Sequence, residues 1–398
     1  MSTKISNTEK IRQVNRNDII NALRQAGPMA RIDLGNYLGL SPSTVTTITA
    51  QLQQSGLIYE LADQDKDSGV RGRPRVAIDL TPKAACVIAI KLSINELQFE
   101  LGDYKGNIHF QRTRHLNTRK LSGDMLVDIL KTEVTAIIDT HGHEYEQFRA
   151  IGIAVQGFVD SNSGTVVWSP ALGFRHMDLA TPLSDAFSVP VVVANDTDCI
   201  GVAVQRSPQY KDVKSMAVIM INYGVGMCLI MNGGLYLGGV GAVAEFGHTK
   251  FSHEGPQCRC GKRGCIEAYV SDYAIYRDAC LMMELPETDV MHPSEQQMQD
   301  LADRARQGDE KLRRLYADAG RVLGVGIGNL LALLGPEKII LTGSGIRNYD
   351  LMESGIFAGV RDSFVEDLIA GTAIETLPWQ EDLTSKGVVI QALSHSET

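Results

Sequence analysis

The sequence predicts a small helical domain closed by a β-hairpin, followed by a larger α/β region of two lobes. Three amphipathic stretches lie within residues 17–56, two strand-like runs follow them, and from Ala85 strand-like runs alternate with helical segments. With 398 residues, the chain is long enough for two or three domains. We expect the domains to be residues 1–82, residues 83–195 completed by a C-terminal helix at 382–398, and residues 196–381.

The first domain is predicted to contain three short helices, which glycine-containing turns separate. Ser41 and Pro42 suit the start of the third helix, because serine caps helix N-termini and proline fits the first turn. Val45, Ile48 and Leu52 then recur at helical spacing and form a buried stripe. The side chains left on the outer face of this helix are Ser43, Thr44, Thr46, Thr47 and Gln51.

Two strand-like runs follow the helices, at residues 57–59 and 76–80, and the polar loop Asp63–Arg75 joins them. Three helices followed by a β-hairpin form a winged helix-turn-helix, whose second motif helix enters the major groove of DNA. We therefore expect the outer face of the third helix to contact DNA. The loop adds three arginines around a Gly-Pro pair, at Arg71, Arg73 and Arg75. Extended arginines of this kind can lie in a narrow, A·T-rich minor groove; a solvated charged linker is the alternative.

Charge by itself does not establish DNA binding. The formal net charge is −9, and residues 1–82 hold ten Lys/Arg against eight Asp/Glu. No apolar run approaches the roughly 18–20 residues that a membrane span needs. The polar N-terminus does not resemble a signal peptide. We therefore expect a cytoplasmic protein without a membrane span.

From Ala85 onward the pattern changes to α/β. Strands are predicted at 87–92, 97–101, 150–155, 189–194, 216–221, 227–231 and 338–341, and helices at 125–138 and over most of 295–334. Two α/β lobes, each with a glycine-rich turn, fit a bilobal fold with a ligand cleft between the lobes.

The strongest local signal is a cluster of cysteines. Cys258, Cys260 and Cys265 lie within eight residues, and His248 precedes them by ten. Three thiolates and one imidazole complete a tetrahedral Zn²⁺ shell, and a closed four-ligand shell is usually structural. We expect one structural Zn²⁺ per chain; three reduced thiols in a loop are the alternative. The remaining cysteines are predicted to be packing residues: Cys86, Cys199, Cys228 and Cys280.

The same region resembles the signature of the ROK family (repressors, open reading frames, kinases). Glu245-Phe-Gly-His248 matches its ExGH pattern, and the run from Cys258 to Glu267 matches its CxCGxxGCxE pattern. The resemblance extends from about residue 10 to the C-terminus, and it implies a sugar-kinase-like fold of the actin/hexokinase type. The N-terminal domain resembles that of ROK repressors, including the glucose, N-acetylglucosamine and xylose repressors. ROK sugar kinases generally lack this domain.

The resemblance also implies a sugar site. The residues that match the sugar-lining positions of the family are Asn195, Asp196, Glu245, His248 and Glu267. His248 would bind the metal as well, so that the metal holds a sugar ligand in place. Taken singly, Asn195-Asp196 is also compatible with a helix cap, and Glu267 with a solvated helix position. Ala171 stands where many family members have a sugar-binding asparagine, and Gln156 stands where many have proline, which leaves the identity of the sugar open.

The phosphate-binding turns of the family's kinases are altered. Where those kinases carry an aspartate for Mg²⁺ and two glycines, this chain has Lys91, Ser93 and Ile94. Tyr223 replaces a threonine in the second turn. Asp196, which corresponds to the general base of the kinases, is retained. We therefore expect a chain that binds a sugar but is not an enzyme.

Three functions are compatible with these features. The favoured one is a sugar-responsive repressor of genes for carbohydrate uptake or catabolism. The alternatives are a repressor that a protein partner releases and, less favoured, a sugar kinase. The expected partners are operator DNA, a sugar or sugar phosphate, and further copies of the chain in a dimer or tetramer, because operators are two-fold symmetric.

Overall fold

The structure, a computed structural model, describes residues 7–61, 76–239, 244–284, 292–363 and 371–397. These residues fall into two compact units. The first unit runs to Lys211 and is completed by the segment that begins at Asp382, and the second runs from Asp212 to Glu381. The domain boundaries expected at residues 82 and 195 stay predictions.

The first unit begins with the winged helix-turn-helix that the sequence predicts. Its helices are α1 (Asn7–Ala26), α2 (Arg31–Leu38) and α3 (Pro42–Gln54). Its antiparallel sheet, in the order β1-β3-β2, consists of β1 (Met29–Ala30), β2 (Ile58–Glu60) and β3 (Ala77–Leu80). The Ser41 hydroxyl accepts a hydrogen bond from the Thr44 backbone N–H at 3.2 Å and caps α3 as expected.

The burial of these helices follows the apolar pattern in α3 more closely than in α2. Val45, Ile48 and Leu52 are buried, as their spacing predicts. In α2, Leu34 is fully buried, whereas Ile32 is 63% exposed. A helix of eight residues makes only about two turns, so a contact at Leu34 is enough to pack it. The apolar residues therefore locate α2 correctly but do not identify its buried face.

The main sheet of the first unit has five strands in the order β11-β7-β4-β5-β6. They are β4 (Cys86–Ser93), β5 (Glu96–Asp103), β6 (Ile108–His115), β7 (Phe148–Val155) and β11 (Val191–Asn195). β4, β7 and β11 are parallel, and β5 and β6 are antiparallel to their neighbours. The sequence did not predict β6, because most of its side chains are polar and exposed.

Smaller elements surround this sheet. Between β7 and β11 the chain forms a three-stranded sheet of β8 (Phe158–Asp160), β9 (Thr165–Trp168) and β10 (Met177–Asp178). The helices are α4 (Gly123–His141), α5 (Ala180–Phe187) and α6 (Asp196–Gln205). Because α6 begins at Asp196, the end of β11 delivers Asn195 and Asp196 to the carboxyl edge of the parallel strands, where α/β proteins commonly bind ligands.

A C-terminal helix, Leu383–His395, packs against β4, β7 and α6. Its residues Val389 and Leu393 belong to one continuous apolar core that also contains Leu23 of α1 and Ala85 next to β4. The winged helix and the main sheet therefore share a single core, to which the two ends of the chain contribute.

The second unit is a five-stranded sheet in the order β14-β13-β12-β15-β16, with helices packed against it. Its strands are β12 (Met216–Ile221), β13 (Val225–Met231), β14 (Gly234–Leu235), β15 (Lys338–Thr342) and β16 (Ala373–Thr376). Its helices are α7 (Glu267–Val270), α8 (Asp272–Met283), α9 (Glu295–Arg306), α10 (Glu310–Leu334) and α11 (Tyr349–Ser363).

One described helix, α10, is long and apolar enough to cross a membrane by length and composition. Its apolar residues pack in the core of the second unit, and Gly320, Gly324 and Gly328 contact α11 closely. A Cβ atom at Gly324 would lie 2.0 Å from the carbonyl oxygen of Ile356. This packing is that of the core helix of a globular domain rather than of a membrane span.

Candidate functional site

The predicted metal ligands come together in the second unit. The side-chain nitrogen of His248 and the sulfurs of Cys258, Cys260 and Cys265 all lie within 4.8 Å of one another. The Cys258 Sγ is 3.6 Å from the His248 Nδ1, and the sulfurs of Cys260 and Cys265 are 3.8 Å apart. These four side chains form a cluster that could hold a metal ion. Among the described residues, no further cluster of this kind involves the remaining cysteines, which are buried.

Two glycines explain how the loops reach this geometry. Gly264, just before Cys265, has a φ of 70° and passes so close to Ser252 that a Cβ atom would lie 1.5 Å from its carbonyl oxygen. Gly247, just before His248, lies in a single 3₁₀ turn, and a Cβ atom there would lie 2.0 Å from the carbonyl oxygen of Val225. Larger residues at either position would push a metal-ligand loop away from its neighbours.

Glu267 is buried beside the metal cluster. One carboxylate oxygen accepts a hydrogen bond from the Val225 backbone N–H at 3.2 Å, and the other lies 3.4 Å from the Cys258 sulfur. The Tyr273 hydroxyl is 3.5 Å from that second oxygen. Burial raises the pKa of the Cys258 thiol, and the nearby Glu267 carboxylate raises it further. The Cys258 thiol would therefore hold its proton unless a cation stabilised the thiolate.

Glu245 lies beside His248. A carboxylate oxygen of Glu245 is 3.8 Å from the His248 Nε2, while the other ring nitrogen of His248 faces Cys258. Burial raises the pKa of the Glu245 carboxyl, His248 lowers it, and the Glu267 carboxylate adds to the rise. Within the second unit, the structure thus places the three predicted sugar ligands Glu245, His248 and Glu267 around the metal cluster.

The other two predicted sugar ligands lie in the first unit, at the start of α6. The Asn195 side-chain oxygen accepts from the backbone N–H of Thr197 at 2.7 Å, and its amide donates to the Gly157 carbonyl oxygen at 2.6 Å. Asn195 therefore caps α6 and holds the turn that contains Gly157. The neighbouring Asp196 is half-buried, and one of its oxygens also accepts from the N–H of Thr197, at 2.9 Å.

The environment of Asp196 makes its carboxyl a weaker acid than an ordinary aspartate. Burial raises its pKa from 3.8 to about 6, although hydrogen bonding to Thr197 and the positive charge of Lys91 lower it. Lys91 therefore lies close enough to Asp196 to stabilise the carboxylate. At the position where the family's kinases hold a metal-binding aspartate, this chain has a cation.

The turns that would face phosphates carry side chains instead of open backbone. Asn95 in the β4–β5 turn has a left-handed φ of 61°. In the β12–β13 turn, the Tyr223 carbonyl oxygen accepts from the Arg259 guanidinium at 3.0 Å. The Ser344 hydroxyl after β15 donates to the Asn222 side-chain oxygen at 2.7 Å. Side chains within the second unit thus bind the β12–β13 turn, which the sequence singles out, and join it to the turn after β15.

The candidate DNA-binding face lies on α3. Ser43, Thr46, Thr47 and Gln51 are exposed and Thr44 is half-buried. The Thr46 and Thr47 hydroxyls donate to backbone carbonyls one turn earlier, at 2.8 and 2.9 Å, so their remaining lone pairs can accept from a ligand. Arg71, Arg73 and Arg75 lie outside the described residues, and their groove insertion stays a prediction.

The sequence did not predict a role for Lys250, which lies beside the cysteine cluster. Its ammonium is 3.3 Å from the Cys265 sulfur and also donates to the Arg263 carbonyl oxygen. It lowers the pKa of the Cys265 thiol, although burial raises that pKa overall. The feature of the sequence that could have indicated this role is its position. Lys250 follows the candidate metal ligand His248 by two residues, which brings its positive charge close to the cysteines.

Comparisons with known proteins agree with this architecture. Residues 87–377 match the sequence profile described as the ROK family, and residues 16–66 match the profile described as the MarR family. The chain is 28% identical over 371 residues to the xylose repressor of Bacillus spizizenii, an alignment that covers 92% of this chain and 91% of that protein.

Two solved structures extend the comparison. A ROK family transcriptional regulator, a homolog of the Escherichia coli MLC protein, superposes with a TM-score of 0.82 at 25% identity, covering 97% of this chain and 98% of its own. The ROK hexokinase of Thermus thermophilus superposes with a TM-score of 0.63 at 20% identity and covers 77% of this chain and 97% of its own. The second likeness is one of fold. Together they confirm the predicted fold class, a winged helix-turn-helix followed by a sugar-kinase-like domain.

The raised pKa of Asp196 predicts a stability that depends on pH. The Asp196 carboxyl has a pKa of about 6 in the folded chain and near 3.8 in the unfolded chain. Its ionisation therefore destabilises the fold above pH 6 and has no such effect below pH 4. Asp196→Asn keeps the oxygen that accepts from Thr197 but carries no charge. We expect it to stabilise the protein at pH 7.5 by roughly 2 kcal/mol, or about 4 °C in Tm, after a discount for partial solvent screening.

The measurement is thermal unfolding of both proteins at pH 4.5 and pH 7.5. The gain should fall to roughly a third to a half of its pH 7.5 value at pH 4.5, because that pH still lies above the unfolded pKa of 3.8. Asp318→Asn serves as the control, because that side chain is 68% exposed, and it should leave Tm unchanged at either pH. An equal gain for Asp196→Asn at both pH values would show that burial does not raise this pKa.

Proposed function

The chain belongs to the ROK family, and from that premise we propose that it is a sugar-responsive transcriptional repressor that binds operator DNA and acts in the cytoplasm. The observation that carries the proposal is the winged helix-turn-helix at the start of a ROK chain. The xylose repressor and the Mlc-like regulator align with this chain along almost its whole length. The ROK hexokinase covers 77% of it and lacks a counterpart for the remainder. The genes it controls would serve carbohydrate uptake or catabolism.

DNA recognition is assigned to the exposed face of α3. Ser43, Thr44, Thr46, Thr47 and Gln51 would face the major groove, with short hydroxyls contacting phosphates or base edges and Gln51 able to bond adenine. The arginines Arg71, Arg73 and Arg75 would enter the minor groove next to it. A homodimer or tetramer would present two such faces to a two-fold operator.

The metal of the cluster is proposed to be Zn²⁺. Its ligands would be His248, Cys258, Cys260 and Cys265, a set that zinc prefers in closed structural sites. Two sulfurs bound tetrahedrally to one Zn²⁺ at about 2.3 Å lie about 3.8 Å apart, which agrees with the 3.8 Å between Cys260 and Cys265. The ion would stabilise the thiolate forms of Cys258 and Cys265, whose thiol pKa burial raises. It supplies folding stability and holds the His248 ring in place.

The sugar ligands are proposed to be Asn195, Asp196, Glu245, His248 and Glu267. Carboxylates and amides accept from and donate to adjacent hydroxyls, and a buried group left without a partner is costly, which makes such sites selective. The fully buried Ala171 offers no amide in a position where relatives often carry one. The bound sugar therefore makes fewer contacts there, or is a different sugar.

The kinase function is disfavoured by the same residues. Lys91 would repel Mg²⁺, and the β12–β13 and post-β15 turns are bound by side chains of their own unit. We expect purified protein with ATP, Mg²⁺ and D-glucose, D-xylose or N-acetylglucosamine to give no sugar phosphate by mass spectrometry. A sugar phosphate that formed at a rate above the ATP-free control would instead support a kinase.

The zinc assignment predicts about one Zn²⁺ per chain in protein purified without chelators, measured by mass spectrometry of the metal. Cys260→Ser should lower both the zinc content and the Tm, because the metal supplies folding energy. Cys280→Ser is the matched control, since Cys280 is buried outside the cluster. It should keep its zinc even if its Tm falls. If the wild type contained no metal and had the same Tm as protein supplied with Zn²⁺, the zinc site would be ruled out.

The proposed function predicts that sugar and DNA binding are linked. Glu267→Gln keeps the volume of the side chain but removes its charge, so it should bind operator like the wild type and respond weakly to sugar. Arg73→Ala should show the opposite: weaker DNA binding, most at A·T-rich flanks, with sugar affinity intact. The coupling between the two ligands is expected to be about 1–3 kcal/mol, the usual range for allosteric proteins.

The test uses labelled DNA that the full-length protein has selected from a random pool. Fluorescence anisotropy gives the operator Kd at fixed salt, with and without D-glucose, D-xylose, N-acetylglucosamine or N-acetylglucosamine 6-phosphate. Glu310→Gln, on a side chain that is 81% exposed, is the control and should behave like the wild type. Selection of no DNA sequence would contradict the repressor assignment. A full sugar response in Glu267→Gln would contradict the assignment of the sugar site.

A further inference from the structure

Helix α6 connects the proposed sugar ligands to the DNA-binding domain within the first unit. It begins at Asp196 and is followed at its C-terminus by Arg206. Ten helical residues span about 15 Å. One end of α6 therefore lies at Asn195 and Asp196, and the other end lies at α1 of the winged helix.

The contact at the far end is made by Arg206. Its guanidinium donates to the Asn21 side-chain oxygen of α1 at 3.5 Å and to the Ser394 hydroxyl of the C-terminal helix at 3.3 Å. Asn21 also accepts from Arg24 at 3.2 Å. One asparagine of the DNA-binding domain thus receives hydrogen bonds both from its own helix and from the end of α6.

Arg24 continues the network into the C-terminus of the chain. Its guanidinium lies 2.8 Å from the Glu397 carboxylate, and both side chains are almost fully buried, at 3% and 1% exposure. It also donates to the Tyr104 carbonyl oxygen just after β5, at 3.2 Å. The Gln13 amide of α1 donates to the Glu397 backbone carbonyl at 2.7 Å. Because a buried charge without its partner is costly, α1 is strongly held to the C-terminal segment.

The contact along the length of α6 has little room for adjustment. Gly387 of the C-terminal helix passes so close that a Cβ atom there would lie 1.8 Å from the Cys199 carbonyl oxygen of α6. The Gln391 amide donates to the Cys199 sulfur at 3.3 Å. Backbone lies directly against backbone, so a displacement of α6 must move the C-terminal helix as well.

From these contacts we infer that Arg206 is the positioning residue through which α6 transmits sugar binding at Asn195–Asp196 to α1 of the DNA-binding domain. The inference rests on the proposed function and adds the route of regulation. A sugar that bonds Asn195 or Asp196 competes for the groups that cap α6 and hold Gly157, and so shifts the start of the helix. At the other end, the shift changes the Arg206–Asn21 contact and with it the orientation of α1.

The test compares the sugar response of DNA binding in Arg206→Met, Arg206→Lys and the wild type. The DNA is the duplex that the full-length wild type selects from a random pool, and the sugar is whichever of D-glucose, D-xylose and N-acetylglucosamine raises the wild-type Tm most. In the wild type we expect the sugar to change the DNA Kd at least about 5-fold. In Arg206→Met the change should fall below about 2-fold, while the sugar still binds by calorimetry and the sugar-free DNA Kd stays within about 2-fold of the wild type.

Two further variants separate transmission from stability. Arg206→Lys keeps the charge but not the two-armed donor, and should restore part of the response, which a purely structural role would not predict. Asn21→Ala removes the acceptor on α1 without weakening the helix, and should also reduce the response, so the test stands even if Arg206→Met does not fold. Arg314→Met, on a side chain that is 84% exposed, is the matched control and should respond like the wild type.

The outcomes distinguish this inference from the proposed function. If the wild type responds to sugar and both Arg206→Met and Asn21→Ala respond in full, Arg206 is a structural contact and the inference is wrong, while the repressor assignment stands. If the wild type binds none of the three sugars, the sugar-responsive function and this inference fail together.

Discussion

One apolar core serves both the winged helix and the main sheet of the first unit, and the remaining features of that unit depend on it. Leu23 of α1, Ala85 before β4 and Leu393 of the C-terminal helix belong to the same cluster. At its margin, Arg24 and Glu397 form a buried ion pair. A DNA-binding domain on a flexible tether could not sense the state of a distant site. A shared core would allow it to do so, because a close-packed interior transmits small displacements instead of absorbing them.

Lys91 has two effects on the chemistry around Asp196. Replacing a metal-binding aspartate with Lys91 removes a ligand for Mg²⁺ and supplies a cation near a carboxylate that burial would otherwise protonate. The substitution would therefore disfavour phosphoryl transfer, and it favours the charged form of a group that is proposed to accept from sugar hydroxyls. In the second unit, Glu267 lies against both the Val225 N–H and the Cys258 sulfur. A shift of the segment at Val225 or at Cys258 would move the Glu267 carboxylate. The proposed metal and sugar sites would therefore depend on the same local backbone.

The sequence predicted most of the architecture because the relevant signals are local. Val45, Ile48 and Leu52 recur with the period of a helix, and they are buried on one side of α3. The His248–Cys265 cluster follows from residue type and spacing, and the structure brings its four side chains within reach of one ion. The sequence did not predict β6, because an edge strand with few buried side chains shows no regular alternation of apolar residues.

What the sequence by itself determined is the kind of domains, their order and the residue types at each candidate site, because periodicity, capping and ligand spacing are properties of neighbouring residues. Only the tertiary structure decided that Arg24 meets Glu397, that Arg206 reaches Asn21, and that Lys91 influences Asp196. These pairs are separated by many residues along the chain. Their contacts arise from how helices and strands pack, and long-range packing leaves no periodic signal in a single sequence.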